Sequence, residues 1–368
     1  MIRLGLVFFP IMALILFRYP SVSIDGQPAL AHVNSAEIES PGQLGREKVQ
    51  LLWQSEGKRR IYNSGRILDL PGAADDRKIY VPHAGQGYFL FQRMGKEIEH
   101  RSSSGELFWQ RESSAYPVSS PDGDILLLIT GDSNRVDVMD RNGILVEGST
   151  LSGSLLVDYS FSSPAHSEQG ASAVILFSDG RYFVLGKAGK LLCKGLVTEK
   201  PMFARSVAIS ADGKTLAFHY DQSGTDHVQV ARLIASEEGF AVEESYDIEL
   251  KSNHPYTISM LVQDDIALLG PPGETIVVNS GKVILDRVYE AAEDPGLHKA
   301  MAWLDAMYLL QEQRRMLILN EEGELLGSFP MGALYSPGRL LHTERNRVLY
   351  HNLSGQLKMF QLVSPSVE

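Results

Sequence analysis

Eight glycine-centred turns recur along this chain at a nearly regular spacing. The glycines are Gly65, Gly105, Gly143, Gly189, Gly239, Gly281, Gly323 and Gly355, and the steps between them are 40, 38, 46, 50, 42, 42 and 32 residues. Glycine and its Asn or Ser neighbours accept the positive φ of a tight hairpin, so each turn predicts a pair of antiparallel strands. A period of about 40 residues predicts a repeat architecture whose units bury one another's faces.

A second turn lies upstream of several of these glycines. Ser-Pro-Asp-Gly at 120–123 leads into the apolar run 125–129, and Ser-Ala-Asp-Gly at 210–213 leads into the run 215–218. Each of these sequences reads as strand, Asp-Gly turn and strand. Together with the glycine hairpin that follows, they predict four short strands in each repeat.

These motifs resemble those of known repeat proteins. The turn at 120–123 is similar to that of WD-repeat propellers, and Ser104-Gly105-Glu106-Leu107-Phe108-Trp109 resembles the outer-hairpin signature of quinoprotein-type (PQQ-like) propellers. The resemblance spans residues 48–363 and implies an all-β fold, a β-propeller of four-stranded blades. A β-sandwich or an irregular run of meanders is the alternative fold.

The number of blades stays open at this stage. Eight hairpins favour eight blades, yet the last glycine step is short and the copy at Gly65 has no obvious inner strand ahead of it. A seven-bladed ring is the alternative. N-terminal strands, with residues 51–53 as the candidate, would then complete the C-terminal sheet at 357–362 and remove two exposed edges.

The N-terminus carries an apolar run of 14 residues at 4–17, without charge and preceded by Arg3, as in an export signal. As a helix it would span about 21 Å, less than the about 30 Å of a bilayer core. This length favours a cleaved signal peptide over an anchor, and both stay open. We therefore divide the chain into a signal peptide or membrane anchor at 1–23, a flexible leader at 24–47, one propeller domain at 48–363 and a tail at 364–368.

The charge of the chain excludes one class of partner. A net charge of −11 and a pI near 5.4 argue against nucleic acid, which requires clustered Lys and Arg. The densest basic cluster is Lys58-Arg59-Arg60, which we interpret as a solvated hairpin.

No catalytic constellation stands out among the polar residues. The single cysteine, Cys193, lies in a strand-like run among leucines and is interpreted as a core residue. Asp132, Asn134, Asp137 and Asp140 lack the spacing of a calcium loop and are interpreted as strand-end and turn residues. The sequence thus assigns no catalytic, cofactor-binding or metal-ligating residue, predicts no cofactor, and leaves the interaction residues unknown.

One segment fits either a helix or two strands. Apolar residues at Met301, Leu304, Tyr308 and Leu309 match a helical stripe as well as two strands at 302–304 and 307–310. The normal 42-residue step from Gly281 to Gly323 leaves little room for an inserted helix, so we favour the strands.

Two functions follow from this reading. The first is a non-catalytic exported propeller that acts as a protein–protein interaction scaffold in a periplasmic or envelope-associated complex, as its resemblance to quinoprotein-type propellers implies. Its partners would be other proteins of that assembly. The protein would lie in the periplasm or elsewhere outside the cytoplasm, soluble or tethered to the inner membrane by residues 4–17. The alternative is a propeller enzyme, either a quinoprotein-like dehydrogenase or a lactonase-like hydrolase. The dehydrogenases of that family use an adjacent-cysteine disulfide and an acidic calcium site, neither of which this sequence contains.

Overall fold

The structure is a computed structural model, which describes most of the chain between residues 29 and 363. The described ranges are 29–36, 50–55, 58–63, 66–70, 77–82, 84–92, 95–163, 170–236, 239–271, 274–288, 301–304, 307–312, 315–320, 322–330, 338–342, 347–352 and 357–363. The predicted signal or anchor at 1–23 and the tail at 364–368 lie outside them. Among the described residues, no helix has the length and apolar character needed to cross a membrane.

The regular secondary structure of the described residues is almost entirely β-strand, as the sequence predicts. The first fifteen are β1 (Ala29–Ala36), β2 (Gln50–Ser55), β3 (Lys58–Asn63), β4 (Arg66–Asp69), β5 (Arg77–Tyr80), β6 (Tyr88–Gln92), β7 (Glu97–Arg101), β8 (Leu107–Glu112), β9 (Tyr116–Ser119), β10 (Ile125–Ile129), β11 (Arg135–Asp140), β12 (Leu145–Ser152), β13 (Leu156–Phe161), β14 (Ala173–Phe177) and β15 (Arg181–Leu185). A single 3-10 turn at Lys187–Gly189 follows. The others are β16 (Leu191–Leu196), β17 (Phe203–Ile209), β18 (Thr215–Gln222), β19 (Thr225–Ser236), β20 (Gly239–Glu249), β21 (Ser259–Gln263), β22 (Ile266–Gly270), β23 (Glu274–Asn279), β24 (Lys282–Val288), β25 (Met301–Leu304), β26 (Met307–Glu312), β27 (Arg315–Asn320), β28 (Leu325–Pro330), β29 (Gly338–His342), β30 (Arg347–Asn352) and β31 (Leu357–Val363).

Residues 39–298 form one compact unit of six antiparallel sheets. The first sheet has three strands in the described residues, in the order β2-β3-β4. The next five have four strands each, β5–β8, β9–β12, β13–β16, β17–β20 and β21–β24, and every strand pairs with its neighbours in sequence. The repeat of four strands predicted from the glycine period is therefore confirmed.

Residues 1–38 and 299–368 form the second compact unit. One of its sheets is the meander β25–β28, so the segment at 301–310 forms two strands, as favoured from the sequence. The other has the order β1-β31-β30-β29, with Ala29 opposite Val363 and Ala36 opposite Leu357. A strand from the N-terminal part of the chain thus completes the C-terminal sheet.

The strand that completes this sheet is not the one we name as the candidate. Residues 51–53 lie in β2 and pair with β3, whereas β1 pairs with β31. With β1 in place, the backbone of β31 bonds on both sides and is not left as an open edge. β1 lies inside the segment 24–47 that we interpret as a flexible leader. The division of the chain at 23, 47 and 363 stays a prediction.

Strand β14 shows how one short sequence is buried on both faces. Ala173, Ile175 and Phe177 belong to the apolar cluster shared with β10 and β11, whereas Val174 and Leu176 belong to the cluster shared with β17 and β18. Alternate residues of a strand point to opposite faces, so a continuous apolar run serves two neighbouring sheets. Burial of each large side chain contributes about 1.5–3 kcal/mol.

The Asp-Gly turns are closed by their own side chains. Ser120 Oγ donates to Asp122 Oδ1 and accepts a hydrogen bond from the N–H of Ile125 at 3.0 Å. The turn at 210–213 repeats this geometry, with Ser210 Oγ donating to Asp212 Oδ1 at 2.6 Å. The Ser-x-Asp-Gly motif therefore fixes the connection between the first and second strands of a sheet.

Short side chains also join the first strands of consecutive sheets. Asp158 Oδ2 on β13 accepts a hydrogen bond from the N–H of Val207 on β17 at 2.9 Å. One sheet further on, Ser206 Oγ on β17 accepts from the N–H of Ile258, just before β21, at 2.8 Å. Each first strand is thus held in register against the next one.

The outer strands are joined by an aromatic contact. Trp109 on β8 donates from Nε1 to the carbonyl oxygen of Arg141 at 3.0 Å, and its ring covers the turn at Gly143. A Cβ atom added at Gly143, where φ is +77°, would lie 2.7 Å from Cδ2 of that ring. Tyr246 on β20 covers the Gly281 turn of the following sheet in a similar way, with contacts from 3.5 Å.

Substitution of Gly143 tests this contact. We expect Gly143→Ala to lower the free energy of unfolding by about 2–4 kcal/mol, because it adds a left-handed backbone penalty to a clash with a packed ring. Gly131→Ala is the matched control, since an added Cβ there meets no atom within 4 Å. It should change stability by less than about 0.5 kcal/mol. Urea unfolding measures both, and equal stabilities for the two variants would contradict the prediction.

Candidate functional site

The most densely connected polar group lies at one end of the sheets β17–β20 and β21–β24. In an antiparallel meander the second-to-third turn and the connection to the next sheet lie at the same end. Arg205 comes from the start of β17, His219 from β18, Asp226 from the start of β19, His254 from the connection to β21 and Glu274 from the start of β23. We call these five residues the polar cluster.

Asp226 is the centre of the polar cluster. Its Oδ2 lies 3.1 Å from Nε2 of His219 and accepts a hydrogen bond from the N–H of His254, while its Oδ1 lies 3.1 Å from a terminal nitrogen of Arg205. The side chains of Asp226 and His219 have no exposed surface. The second terminal nitrogen of Arg205 bonds to Asp221 Oδ2 at 3.1 Å.

The electrostatics of the cluster favour a charged Asp226. Burial acts to raise the pKa of this carboxyl, but hydrogen bonds from His219 and from the His254 N–H, together with the Arg205 charge, hold it below the ordinary value. Burial is also the main cause that lowers the pKa of His254, whose Nε2 lies 3.1 Å from Glu274 Oε2. The cluster therefore pairs the Asp226 carboxylate with the Arg205 guanidinium, while burial favours the neutral form of His254.

The polar cluster fixes the connection between two sheets and does not present its His–Asp pair to a solute. Its His–Asp pair is closed to solvent, and Asp226, Arg205 and Glu274 anchor the connection 250–258 through His254. Among the described residues, no group of three or more His, Cys, Asp and Glu side chains is placed to hold a metal ion. The geometry supports a structural role at this end of the sheets.

The lone cysteine lies at the margin of the core, against which the sequence predicts that it packs. Cys193 on β16 is half-buried and packs against the apolar cluster between β14–β15 and β17–β18. Burial raises the pKa of its thiol to about 11. A thiol of that acidity is protonated at neutral pH, so it is not poised as a nucleophile.

Asp132 lies in a turn and Asp140 at a strand end, as the sequence indicates, whereas Asp137 lies inside β11. Asp140 Oδ1 accepts hydrogen bonds from the N–H groups of Asn142 and Ile144 at 2.9 and 2.8 Å. Asp137 pairs with Arg135 at 2.7 Å. In the basic hairpin at 58–60, Arg60 pairs with Asp69 at 2.9 Å. Each of these charges has a local partner.

The sequence motifs contain a surface that we do not recognise from the sequence alone. The residues that follow Gly105 and Gly143 are large, apolar and exposed: 44% for Leu107, 49% for Phe108, 63% for Ile144 and 41% for Leu145. We call these four residues the apolar rim. Val283 and Ile284 follow Gly281 in the same way, each 39% exposed. The pattern of glycine followed by exposed apolar residues is visible in the sequence, but there these residues read as ordinary strand interior.

The two halves of the apolar rim lie on adjacent sheets. The contact of Trp109 with Arg141 and Gly143 brings the start of β8 to the turn between β11 and β12. Phe108 packs edge-on against His100, with ring centroids 4.9 Å apart, and His100 in turn stacks on buried Phe89 at 4.5 Å. The rim is therefore supported from beneath by aromatic packing.

Solved structures share this arrangement of sheets. The crystal structure of BamB from Moraxella catarrhalis matches with a TM-score of 0.58 at 15% identity, over 90% of this chain and 100% of that one. The structure of the Dos1 propeller matches with a TM-score of 0.60 at 11% identity, over 92% and 97% of the two chains. Kluyveromyces lactis Hsv2 matches with a TM-score of 0.51 at 11% identity, over 82% and 100%.

The chain is a β-propeller. The four-stranded sheets are its blades, and the resemblance to WD-repeat and quinoprotein-type propellers is confirmed at the level of the fold. No protein-family model matches the sequence, and no curated protein matches it. At such low identities the structural similarity establishes the propeller fold and leaves the function to be argued from the surface.

Loss of the charge at the centre of the polar cluster should be costly. We expect Asp226→Asn to lower the free energy of unfolding by about 3–5 kcal/mol, because Arg205 then stays buried beside a neutral group. Asp221 is a second partner of Arg205, and its own side chain is 21% exposed. Asp221→Asn should therefore lower the free energy of unfolding by about 1 kcal/mol or less. Urea unfolding measures the stability of both variants. Similar losses of unfolding free energy would show that Asp226 is not the centre of the polar cluster.

Asp158 makes the stability of the fold depend on pH, with a sign that follows from its pKa. Burial raises the pKa of this carboxyl to about 7 from 3.8, against the opposing hydrogen bonds from Val207 and Tyr159. The folded protein therefore holds a proton that the unfolded chain has lost between about pH 4 and pH 7. This contribution to stability falls as the pH rises through that window and is constant above it.

Asp158→Asn tests the assignment, because Asn keeps a carbonyl oxygen for the Val207 N–H and carries no charge. We expect the variant to be more stable than the parent by about 2–4 kcal/mol at pH 8 and by about 1 kcal/mol or less at pH 4.5. Urea unfolding at three pH values measures the difference. A difference that does not change with pH would exclude a raised pKa at this position.

Proposed function

We propose that this β-propeller is a non-catalytic interaction scaffold, exported from the cytoplasm and working in a periplasmic or envelope-associated protein complex. The observation that carries the proposal is the apolar rim, four large side chains between 41% and 63% exposed on two adjacent blades. Single exposed apolar residues are ordinary on protein surfaces, whereas several on neighbouring blades that meet through the Trp109–Gly143 contact offer a partner more than one apolar anchor.

The rim has the properties of a binding surface. Phe108 rests on His100, and Trp109 is fixed by its hydrogen bond to Arg141. Side chains that are already held in place lose little conformational entropy when a partner covers them. Aromatic residues at the centre of an interface commonly supply a large part of its binding energy.

The other polar features support the same function. The His219–Asp226 pair of the polar cluster is closed to solvent, and the cluster holds a blade connection through His254. The raised pKa of the Cys193 thiol disfavours nucleophilic chemistry at that residue. Export is supported by the uncharged apolar run at 4–17 after Arg3, and the net charge of −11 favours protein over nucleic acid as partner.

Capture of partners from the native envelope tests the proposal. We expect the tagged full-length protein to fractionate outside the cytoplasm and to recover a defined set of proteins, and Phe108→Ala with Ile144→Ala to reduce that recovery by about tenfold or more. Circular dichroism and the unfolding midpoint should stay close to the parent. Val283→Ala with Ile284→Ala is the matched control, at the equivalent position of another blade, and should keep most of the recovery.

Two results would overturn the proposal. One is unchanged recovery by the rim variant, which would remove the rim from the interface. The other is a cytoplasmic location with turnover of a small substrate by the purified protein, which would favour the propeller enzyme instead.

A further inference from the structure

We infer that the outer edge of the blade β17–β20 is a docking site for an extended, basic segment of a partner protein, which adds to β20 as a fifth strand. The inference rests on the proposed scaffold function and names the chemistry of one partner. Its surface is separate from the apolar rim, which lies on the blades β5–β8 and β9–β12.

Strand β20 is an unusually long edge. It has 11 residues, against six to eight in the other fourth strands of this unit. It pairs with β19 on one side, and among the described strands none pairs with its other side. The peptide groups along that side are therefore available to an added strand.

The β19–β20 hairpin also extends beyond the rest of its blade. The pairing of β18 with β19 ends at Thr215 opposite Arg232, whereas β19 and β20 stay paired as far as Ser236 opposite Gly239. Ile234, in this extension, is 40% exposed. The hairpin thus offers a strand edge that the neighbouring strands of its own blade do not cover.

The charge of β20 selects the partner. The strand contains Glu243, Glu244, Asp247 and Glu249 and no lysine or arginine. A second copy of this chain, paired edge to edge, would set these carboxylates against one another, and like charges opposite each other destabilise a strand pair. A segment that carries lysine or arginine gains favourable cross-strand pairs instead. The edge therefore disfavours self-association and favours a basic strand.

A cleft beside β20 provides room for basic side chains. Its volume is about 370 Å³, and its lining includes Glu243, Glu244, Ser245 and Asp265. Among the described residues that line it, Arg232 carries the one positive charge, and that charge is paired with Asp265 at 2.6 Å. The cleft therefore has a negative net charge. A volume of this size falls within the range of ordinary ligand pockets.

The backbone of β20 is irregular at the same place. Val230 lies opposite Tyr246 and Ala231 opposite Glu244, so Ser245 is an extra residue that forms a bulge. Tyr246 is held by its hydrogen bond to the carbonyl oxygen of Asp265 at 2.9 Å. Bulges occur at sheet edges, where they change the direction of a strand and of its side chains. Here the bulge lies beside the acidic cleft and is fixed by the next blade.

Binding of a synthetic peptide to the purified full-length protein tests the inference. The probe is a fluorescent peptide of about ten residues that alternates lysine and valine, a length matched to a typical strand. We expect saturable binding that weakens with salt and protection of amide hydrogens at 239–249 from exchange. A peptide that alternates glutamate and valine should not bind.

Matched charge reversals locate the site. Glu243→Lys with Glu249→Lys should weaken binding of the basic peptide by about tenfold or more, whereas Glu106→Lys with Glu112→Lys, which makes the same charge change along β8, should alter it by less than about twofold. Strand addition requires backbone hydrogen bonds between the peptide and β20. A basic peptide N-methylated at alternate residues cannot donate these bonds, so its affinity should also fall by about tenfold or more. Thermal unfolding verifies that both variants fold.

Equal weakening by the two double variants, undiminished binding of the N-methylated peptide, or no binding at all would each overturn the inference. These outcomes are distinct from failure of the proposed function. Loss of peptide binding with intact rim-dependent recovery from the envelope removes the β20 site alone. Peptide binding without any rim-dependent recovery removes the rim as the interface and leaves the β20 site.

Discussion

Burial of the second strand of a blade on both faces, as in β10, β14, β18 and β22, is the constraint on which the described structure depends. A four-residue or five-residue strand such as β14 cannot bury two apolar faces unless a sheet lies on each side of it, and its alternate residues do contact two different neighbours. This requirement makes the blades interdependent within their unit. It also explains why the polar contacts that tie blade to blade, from Asp158 to Val207 and from Ser206 to Ile258, use short side chains and backbone groups. Longer side chains would hold the strands apart.

The outer strands have a different constraint, because among the described strands none pairs with their second edge. The side chains of these strands fall into two groups. Trp109 and Tyr246 turn inward and cover the glycine turns of the next blade, while Phe108, Ile144 and the acidic residues of β20 stay accessible. The inward residues stabilise the fold. The proposed binding surfaces use the outward residues, where a change of side chain costs little stability.

Most of the fold is predictable from the sequence because its signals are local. The Ser-x-Asp-Gly turns close on themselves, and the strands at 301–304 and 307–312 follow from the spacing between two glycines. The pairing of β1 with β31 and the polar cluster are not predictable in this way. His219, Asp226 and His254 belong to no motif, and their contact depends on how two blades lie together. The exposure of the apolar rim is not predictable for another reason. Hydrophobicity does not reveal which apolar residues are exposed when many strands are buried on both faces.

The pairing of β1 with β31 delays the folding of one sheet until strand β31 has been synthesised. Residues from near the two ends of the chain share one sheet, Ala29 opposite Val363, so this sheet cannot form while the ribosome is still making the last strand. The blades in between are built from neighbouring strands and can assemble as they emerge, because local contacts form faster than distant ones. A chain that stops before residue 357 would leave β1 without a partner and β30 with an open edge, and would be exposed to aggregation or degradation. The sheet that contains β1 therefore forms only in chains that include residues 357–363.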